Sequence, residues 1–239
     1  MTTPLTDSEL DHLLNFIGYG TLDGDVWFIG MEEAGGGEDN IRTRLKFRTV
    51  EDNAMAHKML GVTNLHWGKR KIQRTWRGMC YIMLLLDGEE ATRDSIRSYQ
   101  AEKLGRYGGN TLLTELMPIP KPKVKRWDYE ELIPQFGSRE EYHETIMPRR
   151  VEYSRGLIEE HQPKVVICCG KAFWGDYQDL FEGHRFTEDG QFRTAVTGNT
   201  LAILTPHFTA RSMNGRFDDV VSIISAQYHR QGMDFNERE

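Results

Sequence analysis

The sequence predicts an α/β fold, a three-layer α/β/α sandwich around a central, mainly parallel four-stranded sheet. Three observations carry that prediction. Four short runs are almost continuously apolar, at residues 26–30 (VWFIG), 111–117 (TLLTELM), 165–169 (VVICC) and 200–205 (TLAILT). Strands covered by helices on both faces read in this way. Segments with helical spacing of apolar residues lie between the runs, and strands alternating with helices build parallel sheets through crossover connections. The apolar run at residues 81–86 (YIMLLL) is far too short to span a bilayer, so no membrane partner is expected.

In chain order, Thr6 or Asp7 is expected to cap a helix over residues 8–17, where Leu10, Leu13, Leu14 and Ile17 make one stripe. The first strand follows. A second helix over residues 75–86 directs Trp76, Met79, Ile82, Met83 and Leu86 to one side. After the second strand, Ser138 can cap a helix starting at Arg139. Pro148 lacks a backbone N–H and is expected to break or restart that helix. Residues 149–161 lead into the third strand, and helices over 171–181 and 217–229 complete the set. The whole chain, 1–239, reads as one domain, long enough to bury a full core.

A hydrophobic fraction of 38% with 28% charged residues belongs to an ordinary soluble protein. The acidic start, MTTPLTDSELDHLL, shows no targeting signal, so a cytoplasmic monomer is expected. Cys80, Cys168 and Cys169, two of them adjacent in an apolar run, suit reduced core thiols. They have neither the number nor the spacing of a metal site, and no metal or cofactor is expected. A net charge of −6 argues against indiscriminate nucleic-acid binding, but its distribution is uneven. Residues 66–77 (HWGKRKIQRTWR) hold five basic residues and no acidic one, and 121–126 (KPKVKR) hold four more. Acidic residues gather at 87–90, 128–131 and 234–239. A basic stripe on an acidic molecule attracts phosphates locally; ordinary solvated surface charge is the competing reading.

In open parallel sheets, sites form at the carboxyl ends of the strands. Glycine 30 is followed there by Met31, Glu32, Glu33, Ala34 and three glycines, Gly35 to Gly37. Glu115 precedes MPIP at the second strand, Gly170 and Lys171 follow the third, and PHFTARS (206–212) follows the fourth. Gly18-Tyr19-Gly20 precedes its strand and so is no dinucleotide fingerprint, and Gly35–Gly37 lack the lysine and hydroxyl residue of a phosphate loop. WFIGMEEAGGG resembles the first motif of the uracil-DNA glycosylase superfamily, and ILTPHFTARS resembles its last. QPKVVICCGKAFW is similar to the family's third strand and helix entry, and TLLTELMPIP lies where the family carries its base-reading asparagine.

The resemblance implies a DNA glycosylase that flips a base out of double- or single-stranded DNA and hydrolyses its glycosidic bond, leaving an abasic site. It places the water-activating acid at Glu32, with Glu33 next in line because one register slip exchanges them. His207 matches the residue that stabilises charge on the departing base. Three departures bear on specificity. Glu115 stands where the family has asparagine; ionised, it offers acceptors suited to the amino group of cytosine, and protonated it could also donate to the ring nitrogen. A structural carboxylate is the competing reading. Ala34, followed by Gly35, replaces the bulky aromatic that blocks 5-substituted pyrimidines. Phe208 and Thr209 replace the family's proline and serine. The expected substrate is therefore a bulky 5-substituted cytosine, such as the hydroxymethyl- or glucosyl-hydroxymethylcytosine of phage DNA, which suggests antiviral defence. Uracil or damaged-base repair, or a catalytically inactive DNA-binding module, are the alternatives. Phe47 is matched to the aromatic that stacks on the flipped base, with core packing as its other reading. Arg211 is matched to the residue that fills the vacated stack or holds a phosphate. Lys69, Arg70, Lys71, Arg74, Lys123 and Arg126 are the candidate phosphate contacts.

Overall fold

The computed structural model describes residues 2–121, 127–230 and 235. Eight strands form one mixed sheet: β1 (Gly18–Gly20), β2 (Val26–Ala34), β3 (Val50–Glu51), β4 (Thr111–Lys121), β5 (Val165–Cys169), β6 (Thr187–Asp189), β7 (Phe192–Thr197) and β8 (Thr200–Thr205). Their order across the sheet is β3-β1-β4-β2-β5-β8-β7-β6. The parallel centre β4-β2-β5-β8 consists of the four strands read from the sequence. The expected sheet of four is thus corrected to eight. Antiparallel β1 extends one side, and the β6–β7 hairpin extends the other. These added strands have two to six residues and broken apolar patterns, too short for periodicity to declare them. At β1, a Cβ on Gly18 would lie 2.1 Å from the Leu113 carbonyl oxygen, so only glycine permits this pairing distance.

Helices cover both faces. Trp27 and Ile29 of β2 pack into one core with residues of α1 (Asp7–Leu14), α2 (Glu38–Arg44), α6 (Arg139–His161) and α7 (Trp174–Asp179). Val26 and Phe28 pack into the other, with α3 (Asn53–Met59), α4 (Arg74–Leu86), α5 (Arg93–Glu102) and α8 (Phe217–Arg230). Alternate side chains of β2 and β5 enter opposite cores, which is why both strands read as unbroken apolar runs. The cysteines are buried free thiols. Among the described residues, no helix is long and apolar enough to cross a membrane.

Local chemistry sets the helix starts. Thr6 and Glu9 form a reciprocal capping box at α1, Gln73 caps α4, and Ser138 caps α6. Pro148 does not interrupt α6, contrary to expectation. Pro148 and Glu144, whose carbonyl loses its usual donor, both lie on the exposed side, where water can serve that carbonyl. The first strand also runs beyond Gly30 to Ala34, and the second beyond Met117 to Lys121. Residues expected in loops therefore sit on rigid backbone.

Gly78 of α4 faces Phe217 of α8 and Phe208. A Cβ there would lie 2.6 Å from Phe217 Cε1 and 3.1 Å from Phe208 Cδ2. Alanine favours helix over glycine by about 1 kcal/mol, whereas overpacking costs about 1–3 kcal/mol. Gly78→Ala is expected to lower the urea midpoint; a raised midpoint would show that the two rings give way freely.

Candidate active site

The central strands all end at one edge, and a cavity of about 450 Å³ lies there. That volume falls in the range of small-molecule sites. Glu32, Glu33, Ala34 and Gly35 of the β2 end line it, together with Glu115 of β4, Cys169 of β5 and His207 after β8. Phe16, Trp76 and Phe173 supply aromatic wall, and Leu60, Val62 and Leu65 lead to its mouth. A cavity of about 680 Å³ lies away from these strand ends, between the β6–β7 hairpin and α8. Two of its charged groups, Arg216 and Asp219, pair with each other, and Glu188 pairs with Arg193 outside the lining.

The neighbouring glutamates have different partners. Glu33 accepts hydrogen bonds from Tyr19 Oη and Arg44 Nη2, each at 2.8 Å, and Arg44 Nη1 donates to Tyr19 Oη at 3.0 Å. Asn40 holds the other edge of that guanidinium through Nε. Burial, followed by the Glu33 charge, pushes the Tyr19 hydroxyl well above its ordinary pKa, so it remains a donor. Glu32 instead turns to Lys121 Nζ at 2.5 Å and His143 Nε2 at 3.2 Å. Lys121 lies against the faces of Trp127 and Tyr142. The Glu32 side chain is 3% exposed and the Glu33 side chain 24%. Of the two, Glu33 is the carboxylate that a substrate or water reaches more easily.

Glu115 is paired with Gly30 across the β2–β4 ladder, and its carboxyl group folds over that glycine. A Cβ at Gly30 would stand 2.0 Å from Glu115 Oε2. The strand-end glycine therefore makes room for the neighbouring strand's carboxyl group. Oε2 is buried without a hydrogen-bond partner among the described residues. Arg150, the buried cation of α6, donates to the Leu14, Glu115 and Leu116 carbonyls. Burial, reinforced by the charges of Glu33 and then Glu32, raises the Glu115 pKa well above the ordinary carboxylate value. That shift favours the protonated form, in which Glu115 offers one O–H donor and one acceptor, over the ionised form that offers acceptors only.

Phe208 packs edge-on to Phe28 and Phe217, anchoring the last strand-end loop in the core while His207 stays exposed. The Thr209 backbone N–H donates to His207 Nδ1 at 3.3 Å, and Thr209 Oγ1 lies 2.8 Å from the same nitrogen. An N–H can only donate, so Nδ1 accepts and the ring proton resides on Nε2. Desolvation lowers the His207 pKa, favouring this neutral donor. Gly35, Gly36 and Gly37 have φ values of +130°, +115° and +89°, which explains the glycine run beside Ala34 by backbone conformation as well as by space.

Phe47 does not line the cavity; it is buried behind Phe16, 5.9 Å between ring centroids, and the stacking assignment for it is replaced by core packing. Arg211 is exposed on a short 3-10 turn, outside the cavity lining. Lys69, Lys71 and Arg74 are exposed, in the stretch between the cavity-lining Leu65 and Thr75, while Arg70 pairs with Glu102 at 2.7 Å. Lys123 and Arg126 lie outside the described residues. Tyr19, Arg44, Lys121 and His143 were not singled out by sequence, because each acquires its role from a partner distant in the chain. No known family's sequence profile matches the chain, and no curated protein matches it in sequence.

Two measurements probe the carboxyl cluster. An acid whose pKa is raised by folding binds a proton on folding, so its stabilising contribution is full below the ordinary Glu value of about 4.3 and is lost as pH rises through the folded value. Glu115→Gln is expected to flatten the fall in stability between pH 5 and pH 8, measured by urea unfolding; an unchanged slope would mean that Glu115 is ionised at neutral pH. Gly30→Ala is expected to destabilise by about 1–3 kcal/mol, with much of the loss absent in a Glu115→Ala background. Additive losses would separate the two positions.

Proposed function

We propose that this chain is a DNA glycosylase that flips out a cytosine-like base bearing a bulky 5-substituent and hydrolyses its glycosidic bond. The observation carrying this reading is the shared cavity of Glu33, Glu115 and His207, in which one carboxylate is held by a cation and burial favours the neutral form of the other carboxyl group. Carboxyl groups whose environments drive them to opposite protonation states divide acid from base work. Glycosidic cleavage needs that division, because positive charge grows on the sugar while negative charge grows on the base.

In this mechanism Glu33, fixed by Arg44 and Tyr19, supplies the anion beside the sugar and orients the attacking water. The neutral Glu115 accepts from the cytosine amino group and donates to the adjacent ring nitrogen, and transfer of its proton there eases departure of the base. His207 Nε2–H stabilises negative charge on the leaving base without carrying a positive charge itself. Glu32 is a supporting carboxylate, engaged by Lys121. The open side at Ala34 and Gly35 accommodates the 5-substituent. Such bases mark some phage genomes, so the biological role proposed is antiviral defence. Lys69, Lys71 and Arg74 favour a polyanionic substrate over a free nucleoside.

The test is base release from DNAs containing uracil, cytosine, hydroxymethylcytosine or glucosylated hydroxymethylcytosine, read as alkali-labile abasic sites. Release confined to the substituted cytosines is expected. Release of uracil alone would favour repair, and intact DNA throughout, despite binding, would favour an inactive module. Glu33→Gln is expected to slow release by about 10²-fold or more while leaving DNA affinity within a few-fold. A larger loss in Glu32→Gln would return the role to Glu32.

A further inference from the structure

An aromatic row leads from the cavity wall to the protein surface. Trp76 lies 5.1 Å from His57 and 5.8 Å from His66 between ring centroids, His57 lies 5.2 Å from His66, and His66 lies 5.5 Å from Trp67. Trp76 and His57 line the cavity, whereas Trp67 is 42% exposed. His66 is buried. Desolvation, with the neighbouring His57 charge adding to it, lowers its pKa to about 4, so at neutral pH it packs as an uncharged ring beneath Trp67.

The loop carrying Trp67 is fixed before any ligand arrives. The buried Gln100 side chain donates to the Leu65 and Lys71 carbonyls, each at 2.9 Å, and accepts from Gln73 N at 2.9 Å. Lys71 N also bonds the Asn64 carbonyl at 2.7 Å, closing the loop on itself. Preformed loops lose little entropy on binding. Lys69, Lys71, Arg74 and Arg77, all exposed, follow Trp67 within ten residues on a protein whose net charge is −6. Met55, Met59 and Val62 are also exposed apolar side chains, and Val62 lines the cavity. A rigid exposed indole among cations is suited to an unpaired nucleobase and its flanking phosphates.

We infer that Trp67 is a stacking platform for an unpaired base of the strand entering the cavity, and that the protein prefers single-stranded or locally opened DNA to closed duplex. This deepens the DNA-substrate reading above and rests on it. Paired bases keep their faces within the helix, so an intact duplex cannot use the platform until a base is extruded.

Binding of a labelled oligothymidylate, which contains no cytosine to excise, separates this inference from catalysis. Anisotropy and tryptophan quenching are compared with those for a blunt hairpin duplex, using the native chain, Trp67→Ala and Trp67→Phe. The expected result is tighter binding of oligothymidylate than duplex, about tenfold loss in Trp67→Ala, and near-native binding in Trp67→Phe. Unchanged far-ultraviolet circular dichroism and urea midpoint would confirm that the variants fold. Oligothymidylate binding by Trp67→Ala within about twofold of native, tighter binding of the duplex, or tighter binding of an oligouridylate of equal length would overturn the inference. Native protein binding neither DNA would remove the substrate reading along with it. Strong, Trp67-dependent binding without base release from any DNA in the panel would instead sink catalysis and leave the platform standing.

Discussion

Three carboxyl groups meet at the exit edge of the sheet, and their neutralisation governs the surrounding structure. Arg44 answers Glu33 and Lys121 answers Glu32, while Arg150, although buried nearby, is engaged with main-chain carbonyls. Glu115 has no such cation among the described residues, and its burial beside the other two favours the protonated form. An ionised third carboxylate would add desolvation and repulsion from two neighbours, both of which protonation relieves. The asymmetry follows from placement, since three chemically identical side chains receive three different environments.

That placement depends on close backbone approach. Gly30 gives the Glu115 carboxyl group its seat, the β2–β4 register puts the two residues opposite each other, and a register irregularity between Glu32 and Ala34 marks where the adjacent glutamates reach separate partners. Phe208 serves the opposite rim, anchoring its loop in the core while leaving His207 at the cavity. The cavity thus joins two rigid strands and one aromatic-anchored loop, with the basic loop before α4 running between its lining residues Leu65 and Thr75. Binding and catalytic residues held on such a framework need little reorganisation as charge develops in a reaction.

The basic loop and the cavity share structural supports. Trp76 begins in the cavity wall and ends in the aromatic row beneath Trp67, and Gln73 both caps α4 and is held by Gln100. A substitution in this row is therefore able to alter the basic loop and the cavity shape together.

Periodicity and local chemistry made the four central strands legible, along with the capped starts of α1 and α6 and the gathering of Glu32, Glu33, Glu115 and His207 at strand ends. Parallel strands buried on both faces are continuously apolar, and a parallel sheet sends its strand ends to one edge. Tertiary structure alone decided that β1, β3, β6 and β7 join the sheet, because the first three have only two or three residues and β7 lacks a continuous apolar run. It alone also decided that Phe47 is core, that Glu33 is more accessible than Glu32, and that burial raises the Glu115 pKa. Accessibility and protonation depend on dielectric surroundings and on partners such as Tyr19, Arg44 and Lys121, brought from distant parts of the chain. Sequence order specifies which groups the chain carries; folding specifies which of them share a low-dielectric space and which charge each can keep.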